Sequence, residues 1–185
     1  MITVRINGEE RQYPQGATYE DVANDYQKEY DNLIALATRD GKIRELFKKL
    51  TRDCEITFFT LKDDVGNKTY VRSATMLFLK AVFDVFGRET VQNCRVEFAI
   101  GNGSYISPKG KINATEENAA KIRNRMRELV EAKTPFLKKS YSLDNAMELF
   151  RREGMKDKEK LFRYRRGSFV NIYEMDGYYD YYYGY

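Results

Sequence analysis

Ile2-Thr3-Val4-Arg5-Ile6-Asn7-Gly8 opens the chain with apolar and polar residues at period two, closed by an Asn-Gly pair. Alternation is the pattern of a strand with one buried face, and Asn-Gly supplies the two positive-φ residues of a tight hairpin turn. A second short run ending at Tyr13-Pro14 completes the hairpin. Thr18 then precedes Tyr19-Glu-Asp-Val-Ala23 as an N-cap, with Asp21 three residues on in a capping-box position, so a short helix to about Tyr26 is expected. Ile34-Ala-Leu-Ala-Thr-Arg39 reads as a strand closed by Asp40-Gly41, Lys42 to Lys48 as a short crossing segment, and Asp53-Cys-Glu-Ile-Thr-Phe-Phe59 as the last strand.

The order β-β-α-β-β is that of a β-grasp domain, assigned to residues 1–62. A loop rich in Asp, Gly and Asn, Lys62 to Lys68, is the expected boundary. Beyond it the pattern is a second α+β domain, residues 68–185, with long helices and an antiparallel sheet. Apolar residues recur at helical spacing from Thr69 to Phe86, and Gly87 is placed to stop that helix. A strand from Cys94 to Ile100 ends at Gly101-Asn-Gly103, with Tyr105-Ile106 pairing back. Thr115-Glu-Glu opens a long helix whose buried stripe is expected to be Ile122, Met126, Leu129 and Val130, with Lys121, Arg123, Arg125 and Arg127 facing elsewhere and Pro135 ending it. Phe136 to Tyr141 reads as a strand, Ser142 to Phe150 as a capped amphipathic helix, and Phe169 to Tyr173 as another strand.

Composition limits the chemistry. Of 185 residues none is His or Trp and two are Cys. Histidine acid–base catalysis, Ser-His-Asp and Cys-His triads and His-ligated zinc are thereby excluded within these residues. Cys54 and Cys94 sit in separate strand-like runs and read as buried free thiols. With no basic and apolar leader after Met1 and no long apolar span, a cytoplasmic protein away from the membrane is expected. Residues 121–168 carry fifteen basic against seven acidic side chains, a surplus of eight, within a chain whose formal net charge is only +4. Such a stretch is a footprint for phosphates or a solvated helix face.

Several stretches carry a family resemblance. Ile2–Gly8, Thr18–Ala23 and Ile34–Arg39 resemble the TGS domain that opens threonyl-tRNA synthetases. Glu117 to Leu161, with its Ile-x-x-x-Met-x-x-Leu-Val helix, Thr-Pro turn, Ser-Leu-Asp-Asn-Ala-Met-Glu-Leu-Phe helix, Gly154 and Lys158, resembles the editing domain of threonyl- and alanyl-tRNA synthetases. Val71-Arg-Ser-Ala-Thr-Met-Leu77 stands where that domain has His-Ser-Ala-x-His-Leu. The resemblance therefore implies that two metal ligands are replaced by Arg72 and Met76. Asp180-Tyr-Tyr-Tyr-Gly184 resembles Asp-Leu-Cys-Arg-Gly, which puts Tyr182 at the ligand cysteine; the fourth ligand falls past Tyr185. The same arrangement, with Phe162-Arg-Tyr-Arg-Arg166 and the Tyr-rich ending, is also similar to the N-terminal half of bacterial uridine kinase-like nucleoside kinases. That resemblance implies a P-loop domain beyond Tyr185, and ATP and Mg²⁺ belong to it. Gly101-Asn-Gly103 lacks the Lys-Ser/Thr of a P-loop.

The expectation is a non-catalytic region that regulates such a kinase or senses RNA or a small-molecule effector, with no metal and no cofactor of its own. The alternatives are an aminoacyl-tRNA editing or tRNA-binding module and a dimerisation region in which the Tyr-rich strand pairs with a second copy. Arg163, Arg165 and Arg166, interleaved with Phe162 and Tyr164, together with Lys138 and Lys139, are the candidate RNA contacts, or else a solvated basic edge beside the acidic tail. Arg72 reads as an anion contact in the old metal pocket or as one side of a salt bridge. Lys158 matches a lysine of the synthetase pattern, on a helix where Lys156 and Lys160 also point to simple solvation. The tyrosines from Tyr173 to Tyr185 read as a stacking surface or a half-buried strand face.

Overall fold

The computed structural model describes residues 1–101, 103–108 and 112–184. Asn102 of the Gly101-Asn-Gly103 stretch and Tyr185 of the Tyr-rich tail lie outside the described residues. The fold is α+β, and its contacts divide the chain into two compact units, one of residues 1–73 together with the end from Tyr183, the other Ala74–Tyr182.

In the first unit β1 (Ile2–Ile6) pairs antiparallel with β2 (Glu9–Tyr13) through a turn at Asn7 (φ 51°) and Gly8 (φ 87°), the positive pair that Asn-Gly provides. α1 (Tyr19–Tyr26) has the expected capping box: the Asp21 amide donates to Thr18 Oγ1 at 3.1 Å, and Thr18 N donates back to Asp21 Oδ2 at 2.7 Å. The Thr18 amide and then its hydroxyl, both donating to the carboxylate, hold the Asp21 carboxyl below the usual aspartate range. β3 (Ile34–Arg39) turns at Asp40-Gly41 into β4 (Lys42–Glu45), which returns antiparallel along it. The expected crossing segment is therefore partly a strand; the crossing begins only at Leu46, where the carbonyls of Leu46 and Lys48 accept the amides of Glu20 and Tyr19 at the start of α1. The expected last strand is two pieces, β5 (Cys54–Glu55), parallel to β1, and β6 (Phe58–Thr60), antiparallel to β3. Between them Ile56 N donates to Arg5 O and Thr38 N to Thr57 O, so this bent run joins β1 on one side to β3 on the other, as in a β-grasp sheet. Ile2, Val4 and Ile6, alternating along β1, pack with Tyr19, Val22, Ala23 and Tyr26 of α1 in the core.

Helix α2 (Asp64–Phe86) starts inside the expected 62–68 loop. Gly66 misleads there: it is helical, and the position its Cβ would take is 2.0 Å from the Thr60 carbonyl oxygen, so glycine serves a close approach and not a turn. Gly87 (φ 82°) ends the helix as expected.

In the second unit α3 (Arg88–Gln92) leads into β7 (Cys94–Ile100), which pairs with β8 (Gly103–Pro108). α4 (Glu116–Glu131) is capped by Thr115, whose Oγ1 accepts from Asn118 N. It ends before Pro135, with Lys133 at φ 50° and Thr134 N donating to Leu129 O. Of the expected stripe, Ile122 and Leu129 are buried, whereas Val130 is exposed. β9 (Leu137–Ser142), β10 (Phe169–Met175) and β11 (Tyr178–Asp180) form an antiparallel sheet, order β11-β10-β9. Val170 and Ile172 on one face pack with Ala146, Leu149 and Phe150 of α5 (Leu143–Arg152) and Phe162 of α6 (Lys156–Arg163). Met175, on the other face, and Tyr178 pack with Met76, Leu79 and Val82 of α2 and Leu129 of α4. The sheet is thus covered on both sides. Among the described residues no helix is long and apolar enough to cross a membrane.

Candidate functional site

Arg72 and Met76 lie one turn apart on α2, and their surroundings differ. The Arg72 guanidinium donates to Thr69 Oγ1 at 3.1 Å and lies against Gly184, where an added Cβ would come within 3.3 Å of Nη1. Met76 is 1% exposed, inside the cluster of Leu79, Val82, Met175 and Tyr178. Tyr182 packs against the same cluster, its ring set edge-on to Tyr173 with centroids 6.0 Å apart. The Tyr182 hydroxyl is buried and, among the described residues, has no hydrogen-bond partner. Burial first, and the nearby Asp180 charge second, push its pKa well above the ordinary value, so it stays a neutral phenol. Among the described residues no group of three or more His, Cys, Asp or Glu is arranged to hold a metal ion.

Asp180 itself is 4% exposed and fully engaged: Lys158 Nζ sits 3.0 Å from Oδ1, Tyr181 N donates to Oδ1 at 2.7 Å, and the Tyr178 hydroxyl donates to Oδ2 at 3.3 Å. Lys158 is therefore tied to the sheet and not simply solvated. Both thiols, Cys54 and Cys94, are pushed up by burial and remain protonated, which makes them poor nucleophiles.

The basic residues are only partly brought together. Phe162 is buried, tilted on Phe150 and edge-on to Tyr181, so it is a core residue and no base can stack on it. Tyr164, at 80% exposed, is the available ring, and Phe169 is 67% exposed beyond it. Arg163 donates to Glu159, a carboxylate it shares with Arg151. Those two guanidinium groups hold the Glu159 carboxyl below its usual range. Arg165 lies over the Tyr181 ring and donates to its hydroxyl. Arg166 is exposed. Lys138 and Lys139 are neighbours on β9 and emerge on opposite faces: Lys138 lies over the Tyr173 ring, 5.4 Å from its centroid, while Lys139 pairs with Glu174 at 2.7 Å. They do not form one patch with each other. The Tyr-rich tail is neither of the two expected surfaces throughout: Tyr178 is core, Tyr182 is a buried phenol and Tyr183 is 84% exposed.

Sequence reading missed Lys80. It is 2% exposed, with Nζ 2.7 Å from Asp84 Oδ1, 3.2 Å from Asp176 Oδ2 and 2.6 Å from Asp176 O; Arg125 closes the group on Asp84 at 2.8 Å. The available signal was a lysine within the apolar run Leu77 to Val82, with an aspartate four residues on. Also unforeseen is a cleft of about 590 Å³ lined by Phe78, Val82, Ile106, Ile122 and Met126.

No protein family model matches the chain. It is distantly similar to threonine–tRNA ligases along most of its length. Identity to the enzyme of Thermotoga maritima is 28% over 183 residues, covering 92% of this chain and 28% of that protein. For Maricaulis maris the identity is 28% over 183 residues, with 93% and 28% covered. For Pelagibacter ubique it is 26% over 168 residues, with 90% and 26% covered. The chain thus spans about a quarter of the length of the curated relatives it matches.

Proposed function

We propose that this chain is a tRNA-binding module of the threonyl-tRNA synthetase type that has lost metal-dependent hydrolysis of the aminoacyl ester. The observation that carries this reading is the burial of Met76 and of the Tyr182 hydroxyl. In a chain without histidine, the resemblance assigns metal-ligand positions to these two residues and to Arg72. A thioether, a neutral phenol and a cation do not make a divalent zinc site. Similarity to threonine–tRNA ligases over about nine-tenths of the chain supports tRNA as the partner.

The binding surface in this reading is the exposed end of α6 and the segment after it. Tyr164 offers a ring on which a base can stack, and Arg166 offers a cation for phosphate; Arg163 and Arg165 add charge while held by Glu159 and Tyr181. Fluorescence titration with tRNA at several salt concentrations is expected to give binding near 10⁻⁶ M, on the order of the tight end of sequence-independent association. Tyr164→Ala is expected to weaken it by about tenfold, within the range for one stacked base. Arg166→Ala is expected to lower the salt slope by about one. Binding no tighter than about 10⁻⁴ M, or unchanged by both substitutions, contradicts the RNA reading.

A second reading makes the same region the regulatory N-terminal part of an ATP-dependent uridine kinase-like protein. It is favoured by the Phe162–Arg166 and Asp180–Gly184 segments, which resemble that family. A P-loop encoded beyond Tyr185 supports it and the absence of one removes it.

A further inference from the structure

We propose that the β-grasp unit carries a second RNA-contacting surface, in which Lys42, Arg44, Lys48 and Lys49 take phosphates of bound tRNA and Phe47 offers a ring to a base. The proposal rests on the tRNA-binding reading and extends it to a unit whose total charge hides it. Residues 1–60 carry nine basic against eleven acidic side chains, yet residues 39–52 alone carry six against two. Pairing separates this stretch from the basic residues 121–168. There at least eight of the fifteen cations are held in ion pairs, Lys158 and Arg163 among them. Here Arg52 pairs with Asp40 at 2.9 Å, whereas Arg39, Lys42, Arg44, Lys48 and Lys49 have no ion-pair partner among the described residues.

The fold gathers these cations at one end of the unit. Arg39 and Lys42 are partners in the β3–β4 register and Arg44 lies two residues beyond Lys42, so all three leave the same face of the hairpin, with Glu45 on the other. The crossing after β4 runs beside that end: Arg39 Nη1 donates to Thr51 Oγ1 at 2.8 Å, and the Leu46 and Lys48 carbonyls hold the first amides of α1. Tyr19 of α1 belongs to the same group. Burial pushes its hydroxyl up, and the charges of Arg39 and Arg44 act against that shift. Nearby carboxylates are occupied, Asp21 by Thr18, Asp53 by Thr3 N at 2.7 Å and Asp40 by Arg52. An exposed Glu20 offsets only part of the surplus. Side chains two apart on one strand stand about 6.7 Å apart, so the cations form a row that suits a chain of phosphates better than one anion. Phe47, 46% exposed, stands beside them with Lys48 Nζ 5.3 Å from its ring centroid. A row of cations with an exposed ring is what a single-stranded stretch of nucleic acid needs.

Fluorescence titration of the full chain with unfractionated tRNA over a salt series tests this. Replacing Lys42, Lys48 and Lys49 together by alanine is expected to lower the salt slope by about two and the affinity by about tenfold, as for the loss of three phosphate contacts. The matched control replaces Lys28 and Lys62, which lie toward the Ile34 end of β3, and Lys68 on α2. It removes the same charge and is expected to change the slope by less than about one. All six lysines are exposed, and circular dichroism is expected to show unchanged folding. Equal slopes and affinities for the two triple variants overturn the proposal. If Tyr164→Ala weakens binding in that same series, the tRNA-binding reading stands without this surface. Binding by the unaltered chain no tighter than about 10⁻⁴ M overturns both.

Discussion

Replacing Lys80 by methionine is expected to cost about 3 kcal/mol of unfolding free energy, the range for removing one partner from a buried ion pair. Methionine keeps the length and apolar stem of lysine, so the loss is that of the cation and not of packing. Lys80 Nζ serves three oxygens at once, both carboxylates and the Asp176 carbonyl. Asp84, whose side chain is 18% exposed, would keep only Arg125, and the Asp176 carbonyl would lose its donor. Asp176 sits at φ 44° in the β10–β11 turn, so this one ammonium fastens the turn that presents Tyr178 to α2. Urea unfolding followed by tyrosine fluorescence checks this; a change below about 1 kcal/mol, the value of an exposed pair, contradicts it.

Gly66→Ala is the second large effect, expected to destabilise by about 3 kcal/mol even though alanine is the better helix former. The added methyl would stand 2.0 Å from the Thr60 carbonyl oxygen and 2.8 Å from its carbon, and a backbone group cannot rotate aside as a side chain can. The helix start or β6 has to shift. A helix-propensity account of the same substitution predicts a gain of up to about 1 kcal/mol, so the sign of the change in thermal midpoint decides between them.

These two residues also mark where sequence reading stops. Features that one segment specifies by itself were legible: the Asn7-Gly8 and Asp40-Gly41 turns, the caps at Thr18, Thr115 and Ser142, and the stop at Gly87. Each depends on bonds within a few residues. Features that need a distant partner were not. Gly66 reads as a loop residue in sequence because its reason, Thr60, belongs to another element. β4 is short, half-exposed and defined only by its pairing with β3. Val130 has the right spacing, yet it is 60% exposed, since spacing alone does not say where along α4 the rest of the fold packs. Lys138 and Lys139 are a different lesson, since period two along a strand already separates adjacent side chains. At the candidate site, the resemblance picked out Arg72, Met76 and Tyr182 from residue types alone. The burial of Met76 and of the Tyr182 hydroxyl, the engagement of Lys158 with Asp180 and the removal of Phe162 from the basic surface required the fold.

The central claim, binding without hydrolysis, is tested most directly by incubating this chain with a mischarged aminoacyl-tRNA, with and without added Zn²⁺, at protein concentrations that saturate binding. The account predicts that bound tRNA loses its amino acid no faster than free tRNA in either condition. Deacylation accelerated by the chain, and rising with Zn²⁺, would contradict it.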